Sequence, residues 1–310
     1  MRTPRQMTRM AAASRNGATP GRLVVAGLGF AGTAVAREAA AAGWRVTGTS
    51  RDPARGSAPP GVEVVPFAEA GPAIAAATHL LATAAPKEES GDPVLAAHGE
   101  AIRAATDLRW IGYISTTGVY GDHGGGWVDE STPPRPMQDR TRRRVAAEQQ
   151  WAAFAARLPV DLFRSGGIYG PGRSVLDELR EGTARRTVKP GHAFSRIHRD
   201  DIALAVRSAM RQGRAPPGLR VLHLVDDEPA ESAVVVEGAA RLLGLDPPPA
   251  VPFEAALATM SPMARSFWSE NRRVSNTTTK TALGIASWRH PTWREGLAAI
   301  LREERGEGPP

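Results

Sequence analysis

Leu23-Val24-Val25-Ala26-Gly27-Leu28-Gly29-Phe30-Ala31-Gly32 opens the interpretable part of this chain. A short apolar run leads into a glycine turn, and an alanine-rich helical pattern, Thr33 to Ala42, follows. Gly43 ends that pattern, and Arg45-Val46-Thr47-Gly48-Thr49 reads as a second strand. Strand, G-x-G-x-x-G turn, helix and strand within about thirty residues make a dinucleotide-binding unit. Gly27 suits the tight turn, Gly29 lets backbone approach a pyrophosphate, and Gly32 lets helix pack closely on strand. The helix N-terminus offers free N–H groups and a partial positive charge to phosphates, with Phe30 and Ala31 in the turn before it as further contacts.

The end of the second strand bears on the choice of nucleotide. NAD-preferring proteins usually carry an acid there, for the ribose hydroxyls. Here Ser50 and Arg51 come first, before Asp52. A guanidinium makes charge-assisted bonds to a 2′-phosphate, so NADP(H) is favoured and NAD(H) stays open.

Working outward, strands and helices keep alternating. Val62–Phe67, His79–Thr83, Trp110–Ser115 and Val160–Ser165 read as strands. Gly71–Ala77, Asp92–Thr106 (with Asp92 as N-cap) and Gln138–Leu158 read as helices. This rhythm predicts an α/β fold with a doubly wound parallel sheet. Ligands in such sheets bind outside the strands' carboxyl ends, which places Thr83, Ala84 and Ala85 beside the nucleotide. Past Gly170 the rhythm changes: a short strand at Phe194–His198, a helix from Asp200 to Met210, a strand at Val221–Val225 and a helix over 231–244. Trp268, Trp288 and Trp293 are expected to fill one small core.

Composition removes several classes. The 310 residues contain no cysteine, which excludes disulfides and thiolate chemistry, and the seven histidines show no metal-ligand spacing. No apolar run is long enough to span a bilayer, and a cytoplasmic location is expected. Of the net charge of +7, residues 1–22 carry five arginines and no acid, which leaves +2 for the rest. The basicity belongs mostly to a leader expected to be disordered, so neither nucleic acid nor membrane is expected as a partner; a small-molecule substrate is.

Ser115-Thr116-Thr117-Gly118-Val119-Tyr120-Gly121, Arg164-Ser165-Gly166-Gly167-Ile168-Tyr169-Gly170-Pro171-Gly172 and Arg196-Ile197-His198-Arg199-Asp200-Asp201 stand in order along the chain. With Leu283-Gly284, Pro291 and Gly296-Leu297 they resemble the extended short-chain dehydrogenase/reductases, the epimerase/dehydratase-like branch. The resemblance covers about residues 22–301. It implies a Rossmann core at 22–170 and a smaller C-terminal substrate domain at 171–310, with some segments returning to the core, after the leader at 1–21. It also implies that Ser115, Thr116 and Gly167 border the nicotinamide, and it leaves a homodimer through the 138–158 helix open.

The family's YxxxK pair is missing. Counting back four from Glu148 puts Arg144 where the lysine belongs and Arg140 where the tyrosine belongs, 24 residues after Thr116. Arg140 cannot replace a phenol, since guanidinium stays protonated, whereas Arg144 can still bond a ribose. The chain therefore resembles the atypical members. Thr116, Arg140, Arg144 and Tyr120 are the candidate catalytic residues. Tyr169 is a weaker one, and Arg173, Arg196 and Arg273 are candidate anion contacts. Three functions stay open: an oxidoreductase acting on a small carbonyl or alcohol, a nucleotide-sugar epimerase or dehydratase, and a non-catalytic NADP(H)-sensing protein.

Overall fold

The computed structural model describes residues 21–55, 58–88 and 91–307; most of the basic leader, with Arg2, Arg5, Arg9 and Arg15, lies outside them. Seven strands form one parallel sheet: β1 (Arg22–Ala26), β2 (Arg45–Ser50), β3 (Val62–Pro66), β4 (His79–Ala82), β5 (Trp110–Thr116), β6 (Pro159–Ser165) and β7 (Gly218–Leu224). Their order across the sheet is β7-β6-β5-β4-β1-β2-β3. The order reverses between β1 and β4, and the crevice above that point is where such sheets take ligands.

Helices cover both faces. α1 (Phe30–Ala41) packs against the sheet on one side, while α2 (Gly71–Ala75), α3 (Pro93–Ala104) and α4 (Asp139–Ala152) pack on the other. Burial on both faces explains why the strands read as unbroken apolar runs: Leu23 to Ala26 are at most 2% exposed. The one acid inside β6, Asp161, is fully buried and satisfied. It accepts from Trp110 Nε1 at 2.8 Å and from Arg220 at 2.9 and 3.0 Å. Asp92 caps α3 as expected, accepting from Val94 and Leu95 N–H, and its second oxygen takes Trp151 Nε1 at 3.0 Å.

Beyond β6 come α5 (Val175–Arg180), α6 (Arg199–Arg211), α7 (Ser232–Leu243), α8 (Phe253–Leu257), α9 (Pro262–Trp268), α10 (Thr277–Leu283) and α11 (Trp293–Glu304). α6 shares the apolar core of α1, and β7 extends the main sheet beside β6. α5, α7 and α11 enclose a separate cluster around Leu176, Ala239 and Ile300. The three tryptophans do not share one core, contrary to expectation. Trp293 fills that separate cluster, Trp288 joins the core under the sheet, and Trp268 packs edge-on to Phe194 and tilted against His192 and Phe253. Among the described residues no helix is long and apolar enough to cross a membrane.

Candidate active site

The glycine turn between β1 and α1 has the geometry its spacing implied. Gly27 sits at φ +118°, where a side chain would be strained, and its carbonyl accepts from Thr83 Oγ1 at 2.6 Å. A Cβ on Gly32 would lie 2.1 Å from that same carbonyl oxygen. Around Gly29, by contrast, a Cβ would meet nothing within 4 Å. Gly29 is also the N-cap of α1 and supplies no side-chain cap, so the first N–H groups of α1 stay free. The Phe30 ring is flanked by the guanidinium groups of Arg173 at 5.4 Å and Arg199 at 5.3 Å. An open backbone cradle, uncapped N–H groups and two neighbouring cations fit a dinucleotide pyrophosphate. Ser50 and the exposed Arg51 stand at the end of β2, outside the walls of the main cleft.

That cleft, about 860 Å³, runs from the glycine turn across the ends of β4, β5 and β6. Gly29, Phe30, Ala31, Gly32, Thr83 and Ala85 line one end. Ser115, Thr116, Arg140, Arg144 and Gly167 line it further along. Thr116 Oγ1 accepts from Gly118 N–H at 3.1 Å, which fixes the oxygen and leaves its proton for another acceptor. Arg144 Nη1 donates to Tyr113 Oη at 2.9 Å and to Ile114 O at 3.0 Å, so β5 anchors the guanidinium. Arg140 has no such anchor: its Nε is buried without a partner, and its guanidinium lies 4.4 Å over the Phe267 ring. Burial and the cations of Arg272 and Arg144 lower its pKa, against the opposing pull of Glu270.

Beneath the cleft floor runs a buried polar chain. Ser115 Oγ donates to Glu148 Oε1 at 2.5 Å, and Arg164 holds both Glu148 oxygens, at 3.1 and 2.7 Å. Arg164 Nη1 also donates to Tyr120 Oη at 2.8 Å, and that hydroxyl lies 2.5 Å from His223 Nε2. His223 Nδ1 faces Ser275 O at 2.7 Å, so Nδ1 carries the proton and Nε2 accepts from Tyr120. Tyr120 is thus removed from the candidate catalytic set. It is fully buried, it forms no wall of the cleft, and burial pushes its hydroxyl up to about 12. Tyr169 is likewise inside, its hydroxyl against Gly296 and its pKa raised by burial.

Other candidates divide. Arg173 and Arg196 line the cleft, although Arg196 spends Nη1 on Phe194 O and Ala230 O. Arg273 turns away to bond Gly125 O. His198 caps α6, accepting from Asp200 N–H. The sequence reading missed Met263, Phe267 and Glu270, which the α9 region brings to the cleft, and Arg272 beside them.

Several buried groups have displaced titrations with opposite consequences. Burial holds His198 down to about 3, while it raises Asp201 to about 7 and Asp226 to about 8. The unfolded chain binds the histidine's proton below about pH 6.5 and the folded chain does not, so that contribution is lost as pH falls. The two acids act in reverse: folded, they keep protons that the unfolded chain releases near pH 4. The stability they carry is therefore lost as pH rises toward 8. Burial also holds His79 and His192 down, each to about 4, so three histidines outweigh the two acids between about pH 4 and 6.5. Urea unfolding is expected to give a maximum near pH 6.5 and a fall above it, at about 1.4 kcal/mol per pH unit for each proton. Asp226→Asn should flatten that alkaline limb; an unchanged slope would mean Asp226 is ionised in the folded protein.

No family model matches the chain. Protein YeeZ of Escherichia coli K12 is 29% identical over 245 residues, covering 73% of this chain and 85% of that protein. A 3-diazoavenalumate denitrifying reductase from Streptomyces sp is 30% identical over 211 residues, 64% of this chain and 66% of its own length. Among solved structures, MoeE5 in complex with UDP-glucuronic acid and NAD superposes with a TM-score of 0.74 at 22% identity, covering 93% of this chain and 99% of that one. A functionally unknown conserved protein from Silicibacter pomeroyi DSS superposes with a TM-score of 0.82 at 45% identity, over 92% of this chain and 99% of that one. The chain therefore belongs to one family with the conserved Silicibacter pomeroyi protein, on the Rossmann-type α/β fold that NAD-dependent epimerases and dehydratases share.

Proposed function

We propose that this protein is an oxidoreductase that binds NADP(H) in preference to NAD(H) and moves hydride to or from a small carbonyl or alcohol. The observation that carries the reading is one cleft joining the uncapped glycine turn to Thr116. When bound, the dinucleotide supplies the hydride donor or acceptor at its nicotinamide carbon. Gly27, Gly29, Phe30, Ala31 and Gly32 hold its pyrophosphate, and Thr83, Ala84 and Ala85 border it. Ser50 and Arg51 take the 2′-phosphate. Arg144, anchored on β5, bonds the nicotinamide ribose, with Ser115 and Gly167 alongside. Thr116 donates to the reacting oxygen. Because Arg140 cannot do the work of a phenol, the proton comes from water. Losing one acid–base group costs about 10²–10⁴-fold in rate, which still leaves catalysis. The reductase named above, a relative at 30% identity, supports a redox reading.

A second reading has one observation in its favour. Met263 and Phe267, at the cleft, are 57% and 50% exposed, an apolar surface suited to a protein partner of an NADP(H)-responsive binding protein. Turnover of bound NADPH in a carbonyl screen separates the two.

The test is calorimetric titration with NADPH and with NADH. NADPH is expected to bind at least tenfold tighter, and Arg51→Ala to weaken NADPH about ten- to a hundredfold while sparing NADH. Equal affinities in the wild type would overturn the NADP preference. Failure of both nucleotides to bind would overturn the function.

A further inference from the structure

Glu270 and Arg140 share the cleft wall, and each holds a polar atom that the fold leaves unsatisfied. Glu270 is 5% exposed. Its Oε2 takes Arg272 Nη1 at 2.8 Å, while Oε1 is buried with no partner. Arg272 also donates to Gly121 O at 2.7 Å, so the cation that holds the carboxylate is itself anchored to the backbone. Arg140 is near enough that Glu270 is the strongest charge acting on it, yet no ion pair joins them among the described residues. Its buried Nε also lacks a partner.

A buried donor or acceptor left without a partner is costly, and more so when charged. A fold that keeps one of each in the wall of a single cleft is suited to a ligand that offers both complements. Arg140, Arg144 and Arg272 outnumber Glu270 on this wall, so the ligand's net charge is negative. Phe267, Trp268 and Met263 supply apolar surface next to the pair.

We propose that Arg140 and Glu270 form a two-point subsite for an organic hydroxy acid. The carboxylate of the acid lies on Arg140, the neighbouring hydroxyl donates to Glu270 Oε1, and the apolar body rests against Phe267 and Trp268. The arginine in the family's tyrosine position then has a binding duty in place of a proton-transfer one. This names the substrate class of the hydride-transfer reading and rests on it.

Three probes separate the two contacts: mandelate carries both groups, phenylacetate lacks the hydroxyl, and 1-phenylethane-1,2-diol lacks the charge. They are titrated calorimetrically into the full-length protein, first saturated with NADPH, with thermal melting of each variant as a check on folding. Mandelate is expected to bind at least tenfold tighter than phenylacetate, since the hydroxyl meets a charged acceptor. Glu270→Gln keeps an oxygen for Arg272 but removes the charge, leaving the hydroxyl only a neutral partner, so that gap should shrink to less than about threefold. Arg140→Met should bring both acids down to the affinity of the diol. Equal binding of mandelate and phenylacetate, undiminished mandelate binding by Arg140→Met, or no mandelate binding to the NADPH-loaded protein would each overturn the proposal. If NADPH fails to bind while the mandelate preference and its loss in both variants persist, the subsite stands and the oxidoreductase reading falls.

Discussion

Arg164→Met is expected to cost about 3–5 kcal/mol of folding stability, seen as an early urea transition. The guanidinium and its partner Glu148 are each only 5% exposed in their side chains, and together they connect Ser115 to Tyr120. Removing the cation strands the Glu148 carboxylate in the interior and deprives Tyr120 of a donor. Glu148→Met should cost a similar amount. The double substitution should recover most of the loss, because the expense lies in an uncompensated buried charge more than in the pair itself. A single-variant loss below about 1 kcal/mol, the range of exposed pairs, would show that water reaches this network.

Gly32→Ala is expected to weaken NADPH binding by at least a hundredfold, by distorting the turn that receives the phosphates. Its Cβ would sit 2.1 Å from the Gly27 carbonyl oxygen, which is backbone and is itself bonded to Thr83. The turn must open or α1 must move, at about 1–3 kcal/mol for overpacking. Gly29→Ala makes an instructive contrast. There the new methyl meets no protein atom within 4 Å, so folding stability should hold while nucleotide affinity falls. If Gly32→Ala binds NADPH normally by calorimetry, the phosphates do not lie over this turn.

The first βαβ unit was legible because its signals are local: glycines at fixed offsets, then apolar runs of strand length. The strand order was not, since no short-range feature says that β7 joins beside β6. The expected helix over 138–158 ends at Ala152 and tightens into a 3₁₀ turn at Ala153–Ala156. Tyr120 shows why a motif residue can mislead. Its position at the end of β5 was readable, but its direction depends on His223, 103 residues away. Ser115 is similar: it lines the cleft, yet its hydroxyl is committed to Glu148. Glu270 escaped notice because one acid among arginines has no pattern, and only the tertiary fold buries it.

The cleft draws on distant parts of the chain: Gly29 to Gly32 lie near one end and Met263 to Glu270 near the other. About 235 residues separate Gly32 from Phe267, which the ribosome adds in roughly 12 to 47 s at about 5–20 residues per second. During that interval the nascent chain can offer the glycine turn without the wall that holds Arg140 against Phe267. The cleft is therefore among the last features of the molecule to be completed, closed by a wall that the final sixth of the chain supplies.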